Sequence, residues 1–457
     1  MDLHEANNIY FIGIGGIGMS AIARYCARAG KQVKGYDRTA SVVTEGLEEE
    51  GIEVFHTLDK KHIAGQDLVI YTPAISRENI EYSAAVAGGL PMIKRSAALG
   101  MISRAYRTLA VAGTHGKTTT STMLAHVLRS CGLDCTAFLG GISRNLDSNF
   151  VFGQSDLLVA EADEYDRSFM TLNPFRAVIT SLDADHLDIY GTATEMQESY
   201  FAFAKQVKPE GTLLVHESLE NAKWERNCLT YGIDRGDFRA ENLRFGTLDT
   251  EFDFVAAGLR LDRLRLPMPG YHNVSNMVAA LAFALLEGAG PQEMRAAVSS
   301  FAGIYRRFEV QNHSEWLTYI DDYAHHPAEL DAAISTARAL FPERQLAVIF
   351  QPHLYSRTRD FYQGFAQALS RADRCLLMEI YPAREAPIPG VHAAMIVGEM
   401  RGAAGVEVVS REALESRLTA LVQFPAVVMS LGAGDIDKEV QRISRWAKET
   451  DQKASMR

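Results

Sequence analysis

Gly113-Thr114-His115-Gly116-Lys117-Thr118-Thr119 is the segment with the plainest chemistry. It follows an apolar run, Leu109 to Ala112, and precedes a helical pattern, Thr118 to Arg129. Between a strand and a helix, its amides and Lys117 can cradle β and γ phosphates while the Thr118 hydroxyl meets magnesium. Val111 stands where GxxxxGK[ST] has its first glycine, so this phosphate loop is shorter than that of ordinary P-loop ATPases. Two acidic segments, Glu161-Ala162-Asp163-Glu164-Tyr165-Asp166 and Asp183-Ala184-Asp185-His186-Leu187-Asp188, follow the next two apolar strands. Hard carboxylates suit magnesium, and a neutral imidazole such as His186 can complete a shell beside a triphosphate.

An earlier loop, Gly13-Ile14-Gly15-Gly16-Ile17-Gly18, fits GxGxxG after a strand, with Asp37 at the spacing of a ribose-binding acid. Taken alone it reads as a dinucleotide site, with NAD one ligand. Its physical content is narrower: glycines let amides approach a diphosphate, and the helix N-terminus supplies partial positive charge. A diphosphate loop followed by a triphosphate loop points to a nucleotide-linked substrate joined to an ATP-driven reaction. At the start of another helix, Asn273 and Asn276 offer amides that can cap the helix or read an adenine edge. Arg306 and Arg307 can supply charge to a transferring phosphoryl group. Asp321-Asp322-Tyr323-Ala324-His325-His326-Pro327 and the segment from Gln351 to Arg359, with His353, Arg357 and Arg359, also follow strands and fit binding of a carboxylate or amine.

Elements must position these groups, and 457 residues allow about three domains. Alternating strands and helices place a first domain over residues 1–105, a second over 106–310 and a third over 311–457. The fold class is α/β. Helices are expected over Ser275 to Gly288, Pro327 to Leu340 and Phe361 to Arg371. A net charge of -11 does not favour nonspecific binding to nucleic acid or anionic lipid, while leaving room for a local basic pocket. The apolar run Val278 to Leu286 is far short of the ~18 residues of a membrane span. Five cysteines without a CxxC pair read as reduced, mostly buried thiols. Together with an N-terminus that lacks a basic start and an apolar stretch, these features lead us to expect a soluble cytoplasmic protein.

Taken together the motifs resemble the Mur ligase family, ATP-dependent amide-forming enzymes of bacterial cell-wall precursor synthesis. The family's GTxGKT is matched at Gly113 to Thr118, and its HNxxN at His272 to Asn276. GxGGxGM (Gly13 to Met19), DDYxHHP (Asp321 to Pro327) and FQPHxYxRT (Phe350 to Thr358) are most similar to the branch that joins L-alanine to UDP-N-acetylmuramate. The resemblance implies a Rossmann-like first domain, a P-loop ATPase-like centre and a Rossmann-like third domain. It implies that Gly15, Gly16, Ile17, Gly18 and Asp37 hold the UDP sugar, not NAD. Gly113 to Thr119 hold ATP, with Lys117 on the γ phosphate; Thr118, Glu161 and His186 hold magnesium, and Asn273 or Asn276 reads adenine. Arg307 acts on the transferring group, while His325, His353, Arg357 and Arg359 orient the muramate carboxylate and the amino acid. A related branch re-attaches a recycled tripeptide to the same sugar nucleotide, and the acceptor amine distinguishes the two. A monomer or weak homodimer is expected, with the third domain closing over ATP.

The chemistry follows from the bond to be made. A carboxylate is a poor electrophile at neutral pH, so it takes the γ phosphoryl group of ATP and becomes an acyl phosphate, which a neutral amine then displaces through a tetrahedral intermediate.

Overall fold

A computed structural model describes residues 3–185, 187–383, 385–401 and 405–455. The chain forms two units: one of Met1–Leu243, Phe252–Arg265 and Asn273–Ala302, the other of Arg244–Glu251, Leu266–His272 and Gly303–Arg457.

In the first unit the amino-terminal sheet has five parallel strands, in the order Glu53–Phe55, Gln32–Tyr36, Asn8–Ile12, Leu68–Tyr71, Met92–Lys94. Asn8–Ile12 is apolar without alternation because it lies in mid-sheet, and Ile9 to Ile12 are all buried. The glycine loop leads from it into the helix Ile17–Arg28.

A ten-stranded sheet follows. At its centre Arg107–Ala112 lies between Leu157–Glu161 and Pro174–Ile179, all parallel, with Val111 beside both Glu161 and Val178. That register brings the phosphate loop, Glu161 and the residues after Ile179 to one edge, the carboxyl ends of the strands, where open α/β sheets bind ligands. The hairpin Thr136–Ser143/Ser148–Val151 adds to this sheet beside Leu157–Glu161.

The second unit holds six strands in the order Glu309–His313, Leu317–Asp322, Ala426–Leu431, Gln345–Phe350, Arg374–Leu377, Val406–Val408, antiparallel only at the first pair. Leu431 pairs with both Asp322 and Phe350, so the segments after these strands share an edge. The helix Pro327–Leu340 starts as the sequence dictates, with His326 capping it, proline in its first turn and Glu329 at its positive end. Two other helices begin earlier than the periodicity predicts: Tyr271–Leu286 by four residues and Tyr355–Leu369 by six.

All five cysteines are unbridged, and Cys26, Cys135 and Cys375 are buried. Burial pushes the Cys26 and Cys135 thiols up to about 12. Among the described residues, no helix is long and apolar enough to cross a membrane.

Candidate functional site

The phosphate loop is held from both sides. Gly116 sits at φ +79 before the helix Lys117–Ser130, a conformation that favours glycine, and a β-carbon there would lie 2.8 Å from Asn276 Oδ1. Asn276 also accepts a hydrogen bond from the Thr120 hydroxyl at 3.1 Å. Its amide oxygen thus holds the first turn of the helix that follows the loop; Asn273, three residues earlier, is also buried. From the opposite side, Thr114 N donates to Ser181 O at 3.3 Å, the Thr114 hydroxyl to Asp183 O at 2.7 Å, and His115 N to Ser181 Oγ at 2.9 Å. The His115 ring lies 3.4 Å from the Asp183 carboxylate. Thr118 and Thr119 are buried.

Lys117 Nζ donates to Gly113 O at 2.7 Å, Thr114 O at 3.0 Å and Glu164 Oε1 at 2.9 Å. Burial works to strip its proton, but the carboxylates of Glu164 and Glu161 outweigh it and hold the ammonium above its ordinary range. Burial likewise pushes the Glu164 carboxyl up, to about 7, against the pull of Lys117.

The acidic segment after Leu157–Glu161 does not act as one metal cluster. Glu161 accepts the Gly140 amide at 3.1 Å, whereas Asp163 pairs with Arg95 at 2.9 Å, Glu164 with Lys117 and Asp166 with Lys94 at 2.8 Å. Asp166 and Arg167 are both left-handed (φ 55 and 54), a strained pair for non-glycine residues. Among the described residues no group of three or more metal-ligating side chains gathers; His186 lies outside the described residues. Thr118 and Glu161 remain a hard-oxygen donor pair at one sheet edge, which fits magnesium.

Gly140, whose amide Glu161 accepts, is a neighbour of the site that sequence reading missed. A β-carbon there would collide with the Glu161 carboxylate. On the magnesium role expected for Glu161, Gly140→Ala should raise the magnesium needed for half-maximal ATP cleavage about tenfold. An unchanged magnesium titration would remove Glu161 from the metal's ligands.

In the first loop, Gly13 N and Ile14 N donate to Tyr36 O, and Gly15 N donates to Asp37 Oδ2 at 2.9 Å. Asp37 therefore braces the loop itself, with Oδ1 accepting the Thr39 amide at 3.2 Å. Gly16 and Ile17 open a helix with no acidic residue in its first turn, which leaves its positive end suited to an anion.

In the second unit the structure brings His325, His353 and Arg357 together. The two imidazoles meet edge to face at 6.1 Å, and Arg357 Nη1 lies 3.5 Å from His353 Nδ1. His353 also stacks on Tyr381. Arg359 does not join them. Because the helix begins at Tyr355, Arg357 and Arg359 stand about 200° apart around its axis; Arg357 is buried, while Arg359 is exposed and pairs with Asp360 at 2.7 Å. Arg306 and Arg307 flank the Tyr323 ring at 5.3 and 5.1 Å.

Asp322 accepts the amides of Phe308 (2.6 Å) and Ala324 (2.7 Å). Burial raises its carboxyl to about 6, with Arg307 pulling the other way. The folded form then holds this proton more tightly than the unfolded chain, so Asp322 takes stability away as pH rises from about 4 through about 6. Asp322→Asn should flatten that part of the thermal-midpoint profile relative to wild type; parallel profiles would refute it.

Three family models cover the chain in succession: "Mur ligase family, catalytic domain" at residues 8–107, "Mur ligase middle domain" at 111–284 and "Mur ligase, glutamate ligase domain" at 306–434. A UDP-N-acetylmuramate--L-alanine ligase of Phocaeicola vulgatus is 42% identical over 453 residues, spanning 97% of this chain and 98% of that protein. One from Porphyromonas gingivalis is 44% identical over 450 residues, spanning 96% and 98%. The crystal structure of a UDP-N-acetylmuramate-alanine ligase from Thermotoga maritima aligns with a TM-score of 0.81 at 29% identity, over 98% of this chain and 99% of that one. The phosphate loop between strand and helix, the acids at the neighbouring strand end and the end-to-end match lead to one conclusion: this chain belongs to the Mur ligase family.

Proposed function

We infer that this chain is an ATP-dependent ligase that joins L-alanine to the carboxylate of UDP-N-acetylmuramate in peptidoglycan precursor synthesis. The observation that carries this reading is the match over nearly the whole chain to ligases of that name, at 42 and 44% identity. The site supports it: a buried ammonium at the foot of a phosphate loop, with a carboxylate at the next strand end.

Lys117 is the group that meets the γ phosphate and spreads its developing charge as the substrate carboxylate takes the phosphoryl group. Thr118 and Glu161 would hold magnesium, which when bound neutralises phosphate charge. The glycine loop Gly13 to Gly18 cradles the UDP diphosphate on amides that Asp37 holds in place. His325, His353 and Arg357 form the patch that orients the carboxylate and the amine, and Arg307 adds charge beside it. Monomeric or weakly dimeric action in the cytoplasm completes the reading.

The test is phosphate release from ATP and magnesium with UDP-N-acetylmuramate present, comparing L-alanine, the cell-wall tripeptide and no amine. Release dependent on L-alanine is the expected result. Dependence on the tripeptide would move the chain to the recycling branch, and no release with any amine would overturn the assignment.

A further inference from the structure

Arg95 opens the helix Arg95–Ser103 directly after the edge strand Met92–Lys94, at the end of the amino-terminal domain. Its guanidinium faces two sites at once. One side packs against Gly18, in the first turn of the helix that follows the diphosphate loop, so closely that a β-carbon on Gly18 would collide with it. The other side donates from Nη2 to Asp163 Oδ2 at 2.9 Å. Asp163 adjoins Glu164, whose carboxylate holds the ammonium of Lys117 in the phosphate loop. Two residues on, Asp166 pairs with Lys94 at 2.8 Å, and this second tie falls on the first of the two strained left-handed residues. Two consecutive cations of one domain thus grip a short acidic loop of the next on either side of the residue that holds Lys117.

Granted the functional reading above, we propose that Arg95 and Asp163 form a positioning brace through which the diphosphate of UDP-N-acetylmuramate and the triphosphate of ATP favour each other's binding. A diphosphate at the start of Ile17–Arg28 attracts the guanidinium lying against Gly18 and fixes it. A fixed Arg95 fixes Asp163, and so the backbone that carries Glu164 and sets Lys117. ATP then meets a loop already ordered, and linkage makes the effect reciprocal. Neither residue need touch a reacting atom.

The test is a binding linkage rather than a rate. The affinity of the full-length chain for a nonhydrolysable ATP analogue with magnesium is measured by calorimetry with and without saturating UDP-N-acetylmuramate. The analogue should bind the wild type about fivefold or more tightly when the sugar nucleotide is present. Asp163→Asn and Arg95→Gln should reduce that ratio below about twofold, and Arg95→Lys should recover part of it. A merely structural role would lower both affinities or the melting temperature and leave the ratio intact. Should Asp163→Asn fail to fold, Asp166→Asn, on the more exposed tie, is expected to lose part of the ratio. A wild-type ratio near one, or variants that keep the wild-type ratio, would overturn the brace alone. Failure of the wild type to bind UDP-N-acetylmuramate would overturn the functional reading and the brace with it.

Discussion

Lys117→Ala is expected to lower turnover by at least about 10³-fold while UDP-N-acetylmuramate still binds within about twofold of wild type. The ammonium donates to both Gly113 O and Thr114 O, which fixes it at the foot of the loop. Its loss also leaves Glu164 buried without its cation, which drives that carboxyl further toward the neutral form. Lys117→Arg should recover little, because a planar fork does not reproduce three bonds made by a compact ammonium to two carbonyls and a carboxylate. The glycine loop Gly13 to Gly18, proposed to hold the sugar nucleotide, follows a strand of a different sheet and keeps its own brace at Asp37, so that binding should persist. Phosphate release reads the first expectation and calorimetry the second. Residual turnover within tenfold of wild type would remove Lys117 from the transition state.

Arg306→Ala is expected to destabilise the second unit by about 3–5 kcal/mol, the cost typical of removing one partner of a buried ion pair. Asp321 is fully buried, and Arg306 Nε reaches its Oδ2 at 3.0 Å while the same guanidinium donates to Gly432 O at 2.7 Å. Ser430 donates to Asp321 Oδ1 at 2.5 Å and shares a hydrogen bond with the Tyr319 hydroxyl at 2.8 Å, so the arginine ends a chain of polar groups inside an apolar sheet. Burial already raises the Asp321 carboxyl against the pull of Arg306. Without the arginine the group should titrate higher still, and the penalty should shrink as pH falls and the acid takes up a proton. Urea denaturation at pH 5 and pH 8 would check this. Adding Asp321→Asn to Arg306→Ala should recover part of the loss at pH 8, and a double variant no more stable than the single one would contradict the account.

The parts of the site that were legible in the sequence are those whose geometry is local. Gly113 to Thr119 could be placed because an apolar run, two glycines and a helical pattern are contiguous, and the strand Arg107–Ala112 and helix Lys117–Ser130 bear that out. Pro327–Leu340 lies where periodicity predicts it. What stayed hidden depends on contacts across the chain. Nothing near Gly140 marks it as the residue that lets Glu161 settle, since the two meet only when the hairpin adds to the sheet. The partners of Asp163 and Asp166 come from about 70 residues away, so a run of acids reads as a metal cluster until Arg95 and Lys94 are brought to it. Arg359 was grouped with Arg357 because the polar start of Tyr355–Leu369 hides its helical period. Asp37 stands at the spacing of a ribose-binding acid, and in the structure its carboxylate accepts the Gly15 amide, a contact that spacing alone does not reveal.

The buried thiols give each unit a built-in clock. With the Cys26 and Cys135 thiols pushed up by burial, the reactive thiolate is scarce at neutral pH. Alkylation of the native protein is then governed by how often the surrounding core opens, not by the intrinsic speed of the reagent. Cys26 and Cys135 report on the first unit, and Cys375, buried within the strand Arg374–Leu377, reports on the second. Mass-resolved labelling rates at these three positions would therefore time the breathing of the two units separately, in one sample and without any engineered probe.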